Sequence, residues 1–261
     1  MNKDQWLSVC HDMVHRLDRD RLMCAMVAPP GKRDALVALL AFNLEIATIP
    51  ELVSEPMLGE IRLQWWRETL TRLYDGNSVD HPVALGLAEA IEKADLSKSL
   101  FDRYLDARAF DLNGEPPASM MVMEKYVEDT AGVLHTLMAE VLGLAGLAQD
   151  LRPQVGEAVA HGGVAWAMTG LLATVDFHAK RGRSYLPADQ EDGVKALTQA
   201  AERHIGKARS ARSRVPKSML PIMLPVGLAE QNLKQLLSGG ARRQGISRLF
   251  GFYWKVLSGK Y

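Results

Sequence analysis

The sequence has only two cysteines, Cys10 and Cys24. They lack the short paired spacing of a metal or redox centre, so both are expected to be ordinary buried thiols in a reducing compartment. Net charge is also missing. Lys plus Arg number 31 and Asp plus Glu number 31, which excludes a general electrostatic pull toward nucleic acid. No long apolar run is present. The best stretch, Met219 to Ala229, is about half the length needed to cross a bilayer and is expected to be broken by Pro221 and Pro225. The first fifteen residues carry charges throughout and lack the apolar segment of a signal peptide or the Arg- and Ser-rich character of a transit peptide. The simplest expected location is a bacterial cytoplasm. Internal repeats, low-complexity tracts, Gly/Ser-rich linkers and alternating strand-type runs are absent too.

What is there is helical periodicity. Leu36, Leu39, Leu40, Asn43 and Ala47 trace one helix face, Pro50 and Pro56 bracket a break, and Leu58, Ile61, Trp65, Leu70 and Leu73 trace the next. Leu100, Phe101, Tyr104, Leu105, Ala109 and Leu112 follow, ended by Asn113-Gly114 and Pro116-Pro117. Further stripes run from Tyr126 to Ala145, from Val164 to Val175, and through Ile246, Leu249, Phe250, Tyr253 and Leu257. The pattern predicts an all-α fold in a single domain over 1–261.

Four motifs then carry a family resemblance. R-L-Q-W-W-R at Arg62 to Arg67, one helix after A-F-N at Ala41 to Asn43, resembles the squalene and phytoene synthase family. R-G-R-S-Y-L-P at Arg181 to Pro187, Y-V-E-D-T-A-G at Tyr126 to Gly132 and R-A-F-D-L at Arg108 to Leu112 are similar to further family segments. The resemblance is strongest over about 18–187, with helices in 196–258 completing the domain. It implies an isoprenoid synthase-like bundle around a central cavity. It also implies two aspartate-rich elements holding magnesium on a diphosphate leaving group.

Those carboxylates are not here. Counting from Ala41-Phe42, the first element reads Ala47, Thr48 and Glu51. Counting back from Pro187, the second reads Thr174, Phe177 and His178. Asp176 lies about 200° round a continuous helix from Thr174. Glu51 and Glu55 are correctly spaced for a replacement pair, but Pro50 and Pro56 argue for a loop. No catalytic residue, metal or cofactor is therefore expected; magnesium returns only if the chain is an active head-to-head prenyl diphosphate transferase using other carboxylates.

One branch of the family shares this loss and is associated with assembly of respiratory complex I. Ala41-Phe42-Asn43, Glu45, Val53-Ser54-Glu55, Gly59, Arg62 and Gln64-Trp65-Trp66 match its wording. The resemblance implies a non-catalytic scaffold that binds an apolar isoprenoid or lipid ligand, or a membrane-complex subunit. Candidate cavity residues are Arg62, Trp65, Trp66, Tyr126, Thr174, His178 and Arg183. Arg62 and Arg67 have Glu60 and Glu68 as alternative partners along the helix, and Glu45 and Glu60 read as capping or ion-pairing residues. A basic run (Lys180, Arg181, Arg183, Arg203, Lys207, Arg209, Arg212, Arg214, Lys217) and the aromatic, cationic segment from Ser247 to Tyr261 suit peripheral contact with an inner membrane.

Overall fold

The computed structural model describes residues 1–239 together with 256, 258, 259 and 261. The stripe from Ile246 to Leu257 and nearly all of the aromatic C-terminal segment lie outside the described residues. Among the described residues every regular element is a helix.

Helix α1 (Lys3–Leu17) starts at a capping box between Asn2 and Gln5 and buries Trp6, Cys10 and Val14, each one turn from the next. The short α2 (Arg19–Ala25) follows. Helix α3 (Pro30–Ala47) begins with proline at its first position and is buried almost all round from Leu36 to Leu44, the property of a central helix. It ends at Thr48, whose hydroxyl donates to the Leu44 carbonyl at 2.9 Å, and α4 (Ile49–Leu52) is a single turn. Helices α5 (Pro56–Tyr74), α6 (Pro82–Ala94) and α7 (Lys98–Arg108) come next. A 3₁₀ segment, Ala109–Leu112, continues α7.

Helix α8 (Met120–Val127) passes through a π turn, Glu128–Gly132, into α9 (Val133–Val141). Helix α10 (Leu151–Ala173) stops at Thr174 and restarts as α11 (Val175–Ala179). Helices α12 (Gly193–Ser210) and α13 (Leu220–Leu237) complete the described order.

Helices α1 and α6 pack on α3, and α12 and α13 pack on α10, while α9 touches both central helices and joins the two halves. The close approach of α10 to α9 depends on Gly163, where a Cβ would stand inside contact distance of the Ala131 carbonyl oxygen and 2.6 Å from His135 Nδ1. Cys10 and Cys24 are buried and not joined in a disulfide, and desolvation pushes Cys10 up to about 12.

Three expectations need correction. Pro225 sits inside α13 without dividing it: the helix lies in the core, where packing offsets one missing backbone bond. The core face of α5 is Gly59, Leu63, Trp66, Leu70 and Leu73, whereas Leu58, Ile61 and Trp65 are exposed. That helix has two apolar faces, and periodicity merged them. Third, the helix break at Thr174 removes the continuous helix on which the angle to Asp176 was counted, and Asp176 is exposed.

Candidate functional site

The two elements that the resemblance marks for metal ligands lie side by side, for Arg183 Nη2 donates to the Pro50 carbonyl at 2.5 Å. Their side chains are not arranged as ligands. Thr48 and Thr174 end α3 and α10 in the same way, each hydroxyl donating to the carbonyl four residues back, at 2.9 Å in both cases. Their oxygens are thus engaged with their own helices. Glu51 is exposed and Ala47 half-buried. The Phe177 ring carries the Arg181 guanidinium 3.7 Å from its centroid. His178 packs edge-on against Phe177 at 5.3 Å and Tyr185 at 4.9 Å. Burial lowers its pKa, partly countered by Glu51 and Asp111. Magnesium demands oxygen donors in near-octahedral array. This set, two engaged hydroxyls, one imidazole and one solvent-facing carboxylate, does not fit it. No group of three or more His, Cys, Asp or Glu side chains among the described residues could hold a metal ion.

Between the elements, the interior is crossed by a polar network whose hub is Asp111 in the R-A-F-D-L motif. Asp111 Oδ1 accepts from the hydroxyls of Tyr126 at 2.6 Å and Tyr185 at 3.0 Å. Its Oδ2 accepts from Arg108 Nη1 at 3.0 Å. Arg108 also donates to Tyr126 at 3.1 Å, to Tyr104 at 3.1 Å and to Asn43 at 3.3 Å. Tyr104 closes the ring by donating to Asn43 Oδ1 at 3.0 Å. Burial raises the pKa of Tyr104, Tyr126 and Tyr185, so all three stay neutral donors. Burial works against the Arg108 charge, but the Asp111 carboxylate and the hydroxyl oxygens of Tyr104 and Tyr126 that accept its hydrogen bonds hold its pKa above the usual value. One cation thus meets one anion, and the hub offers no surplus negative charge to a divalent ion.

Sequence reasoning named Tyr126 as a candidate but not Arg108 and Tyr104, which share its network. The available signal was Asn43, a buried amide in an apolar stripe, which needs a hydrogen-bonding partner.

Glu45 stands two residues after Asn43, about 200° round α3, and faces a separate surface groove of about 800 Å³. Arg62, Trp65 and Trp66 of α5, Thr48, His81 and the end of α1 at Arg16 and Leu17 also line it. Trp65, Trp66 and His81 pack mutually edge-on, with centroids 5.0 to 5.5 Å apart. Burial pushes Glu45 up to about 7, with Arg62 pulling the other way, and lowers His81. The His81 Nε2 lies 3.6 Å from the Glu45 carboxylate, and its buried Nδ1 has no partner among the described residues.

The seven candidate cavity residues are therefore divided. Arg62, Trp65 and Trp66 line the groove, Tyr126 belongs to the network, and Thr174, His178 and Arg183 lie at the second element. Along α5, neither expected arginine pairing forms: Arg67 reaches Asp106 at 3.1 Å, Glu68 accepts from Gln64, and Arg62 has no ion-pair partner among the described residues. The cause is geometric, since Arg67 faces α7 and Arg62 faces the groove.

This arrangement of helices is the isoprenoid synthase fold. A crystal structure of a dehydrosqualene synthase in complex with ligand matches with a TM-score of 0.81, covering 98% of this chain and 96% of that one, at 13% identity. The squalene/phytoene synthase family model matches residues 14–190, and the chain belongs to that family. Its relatives include complex I assembly factor 6 of Mus musculus, 29% identical over 87% of this chain and 72% of that protein. Another is a presqualene diphosphate synthase of Zymomonas mobilis, 28% identical over 62% of this chain and 54% of that protein.

Proposed function

We propose that this chain is a non-catalytic member of the family, folded as one domain, that acts in assembly of respiratory complex I by binding a partner protein or an apolar ligand. The observation that carries the reading is the pair of degenerate elements, with engaged threonines and the Arg183 bridge, beside a charge-balanced hub. Ionising an allylic diphosphate leaves roughly two to three negative charges to be neutralised in an apolar site. Stabilisation of this kind contributes several kcal/mol per metal ion, so losing nearly all of the carboxylates that hold the metals costs many orders of magnitude in rate. The name of the Mus musculus relative supports the assembly role, and Glu45, Val53, Arg62, Trp65 and Trp66, which match the assembly-associated branch, gather in the groove.

Peripheral membrane contact belongs to the same reading, in a bacterial cytoplasm facing the inner membrane. No helix of the described residues is long and apolar enough to cross a membrane. Arg203 and Arg209 pair with Glu124 and Glu230, but Lys207, Arg214 and Lys217 have no ion pair among the described residues and remain for anionic headgroups.

Purified protein with magnesium and farnesyl or geranylgeranyl diphosphate should release no pyrophosphate; clear turnover would establish the alternative, an active prenyltransferase. In the host, deleting the chain should lower the amount of assembled complex I, and an unchanged amount would refute the assembly role.

A further inference from the structure

Helix α5 presents a second apolar stripe. Leu58, Ile61 and Trp65 are 43%, 58% and 40% exposed, and with Arg62 they stand at i, i+3, i+4 and i+7. No helix among the described residues covers them, because the neighbouring face of α5, about 110° round the helix through Leu63, Trp66, Leu70 and Leu73, is the one in the core. The facing wall of the groove is apolar as well, with Leu17 at the end of α1 and Leu52 of α4, 59% and 63% exposed. A groove with apolar walls of this kind takes the apolar face of an amphipathic helix, whose own anchors fall at i, i+3, i+4 and i+7.

Charge selects among the possible occupants. The lining arginines, Arg16 and Arg62, have no ion-pair partner among the described residues. The one lining carboxylate, Glu45, lies half-buried beneath them, and desolvation brings its titration up to about 7. The chain's own described C-terminal residues are committed elsewhere. Val256 packs with Leu224 and Leu228 of α13 and Cys24 of α2, and Tyr261 lies under Arg212. A second copy docked through a two-fold axis along α5 would set Arg62 against Arg62, which like-charge repulsion disfavours.

We infer that this groove receives an acidic amphipathic helix of a partner protein, its apolar face on Leu58, Ile61 and Trp65 and its carboxylates on Arg16 and Arg62. The inference rests on the reading of the chain as a partner-binding scaffold and names the chemistry of the partner.

The test uses the full chain and synthetic helical peptides of about 18 residues, roughly five turns. One carries leucines at i, i+3, i+4 and i+7 with flanking glutamates, a second has lysines in place of the glutamates, and a third has the acidic composition in shuffled order. Binding is read by fluorescence anisotropy of labelled peptide. The acidic peptide should bind at least about tenfold more tightly than either control. Ile61→Asp should weaken it by about tenfold or more. Arg16→Glu with Arg62→Glu should reverse the preference toward the lysine peptide. All three positions are exposed, so circular dichroism and melting should stay unchanged. Equal binding of the acidic and basic peptides, or indifference to Ile61→Asp, overturns the inference. So does binding of anionic phospholipid vesicles that competes with the acidic peptide and is lost in Ile61→Asp, since that makes the groove a lipid site. Pyrophosphate release from farnesyl diphosphate would sink the non-catalytic reading whatever the peptides do. A chain that releases none yet ignores the acidic peptide sinks only the groove.

Discussion

Replacing Asp111 by alanine is the most searching perturbation of the interior. The Asp111 side chain is 2% exposed and that of Arg108 13%, so the substitution leaves a guanidinium with its main counter-charge gone and little water to replace it. Breaking a buried pair from one side costs about 3–5 kcal/mol. At about 2–4 °C per kcal/mol for a chain of this size, melting should fall by roughly 6–20 °C. Removing both charges is the decisive comparison. Arg108→Met with Asp111→Leu abolishes the stranded cation and leaves the Tyr126 and Tyr185 hydroxyls without their acceptor, at about 1 kcal/mol each. The double variant should therefore be more stable than Asp111→Ala, with a coupling energy of about 2 kcal/mol or more in the cycle completed by Arg108→Met and Asp111→Leu alone. Urea denaturation of the set measures this. A cost below about 1 kcal/mol for Asp111→Ala, or additivity across the cycle, would refute the claim that the hub is a charge-compensated unit.

Other consequences are equally specific. Gly163→Ala places a methyl against a backbone carbonyl and the His135 ring; overpacking should outweigh the gain in helix propensity and destabilise by about 1–3 kcal/mol. Gly132→Ala meets Val164 at an ordinary 3.5 Å and should stabilise by up to about 1 kcal/mol, so thermal melts moving in the same direction for both would be a failure. Glu45 titrates near 7 instead of 4.5, so folded protein holds a proton that unfolded protein releases, and this residue's contribution to stability declines as pH rises across that window. The stability advantage of Glu45→Gln over the wild type should then grow between about pH 5 and about pH 8 by up to about 3 kcal/mol, and a constant difference in denaturation free energy would count against it. Arg183→Ala removes the bond to the Pro50 carbonyl and should cost about 1–2 kcal/mol, read as faster hydrogen exchange at residues 48–53 without a change in α9.

Much of the architecture was legible because helix packing writes itself into the chain at a period of 3.6 residues. The interruption between α3 and α5, bracketed by Pro50 and Pro56, and the stop at Asn113-Gly114 were visible as well, although Pro50 itself lies within the single turn α4. The family motifs supplied a register from both sides, and that register implies non-acidic residues, Ala47, Thr48, Thr174, Phe177 and His178, where the family carries carboxylates. Adjacent tryptophans were less tractable: both fit an apolar stripe, and only neighbours decide that Trp66 is buried at the floor of the groove while Trp65 is exposed on its wall. The same limit applies to Arg62 and Arg67, whose options along their own helix looked equal to those across it.

Local pattern thus determined the helical class, which depends on residues close together in the chain, and the resemblance of short motifs to the family implied the register of the two elements and the lack of acidic residues there. Tertiary structure alone decided that Asn43, Tyr104, Arg108, Asp111, Tyr126 and Tyr185 share one network, and that Glu45 lies in a groove where burial disfavours its charge. The physical reason is that hydrogen bonding and desolvation depend on distance in space, and sequence separation carries no record of which polar side chains the packed helices bring within reach of each other.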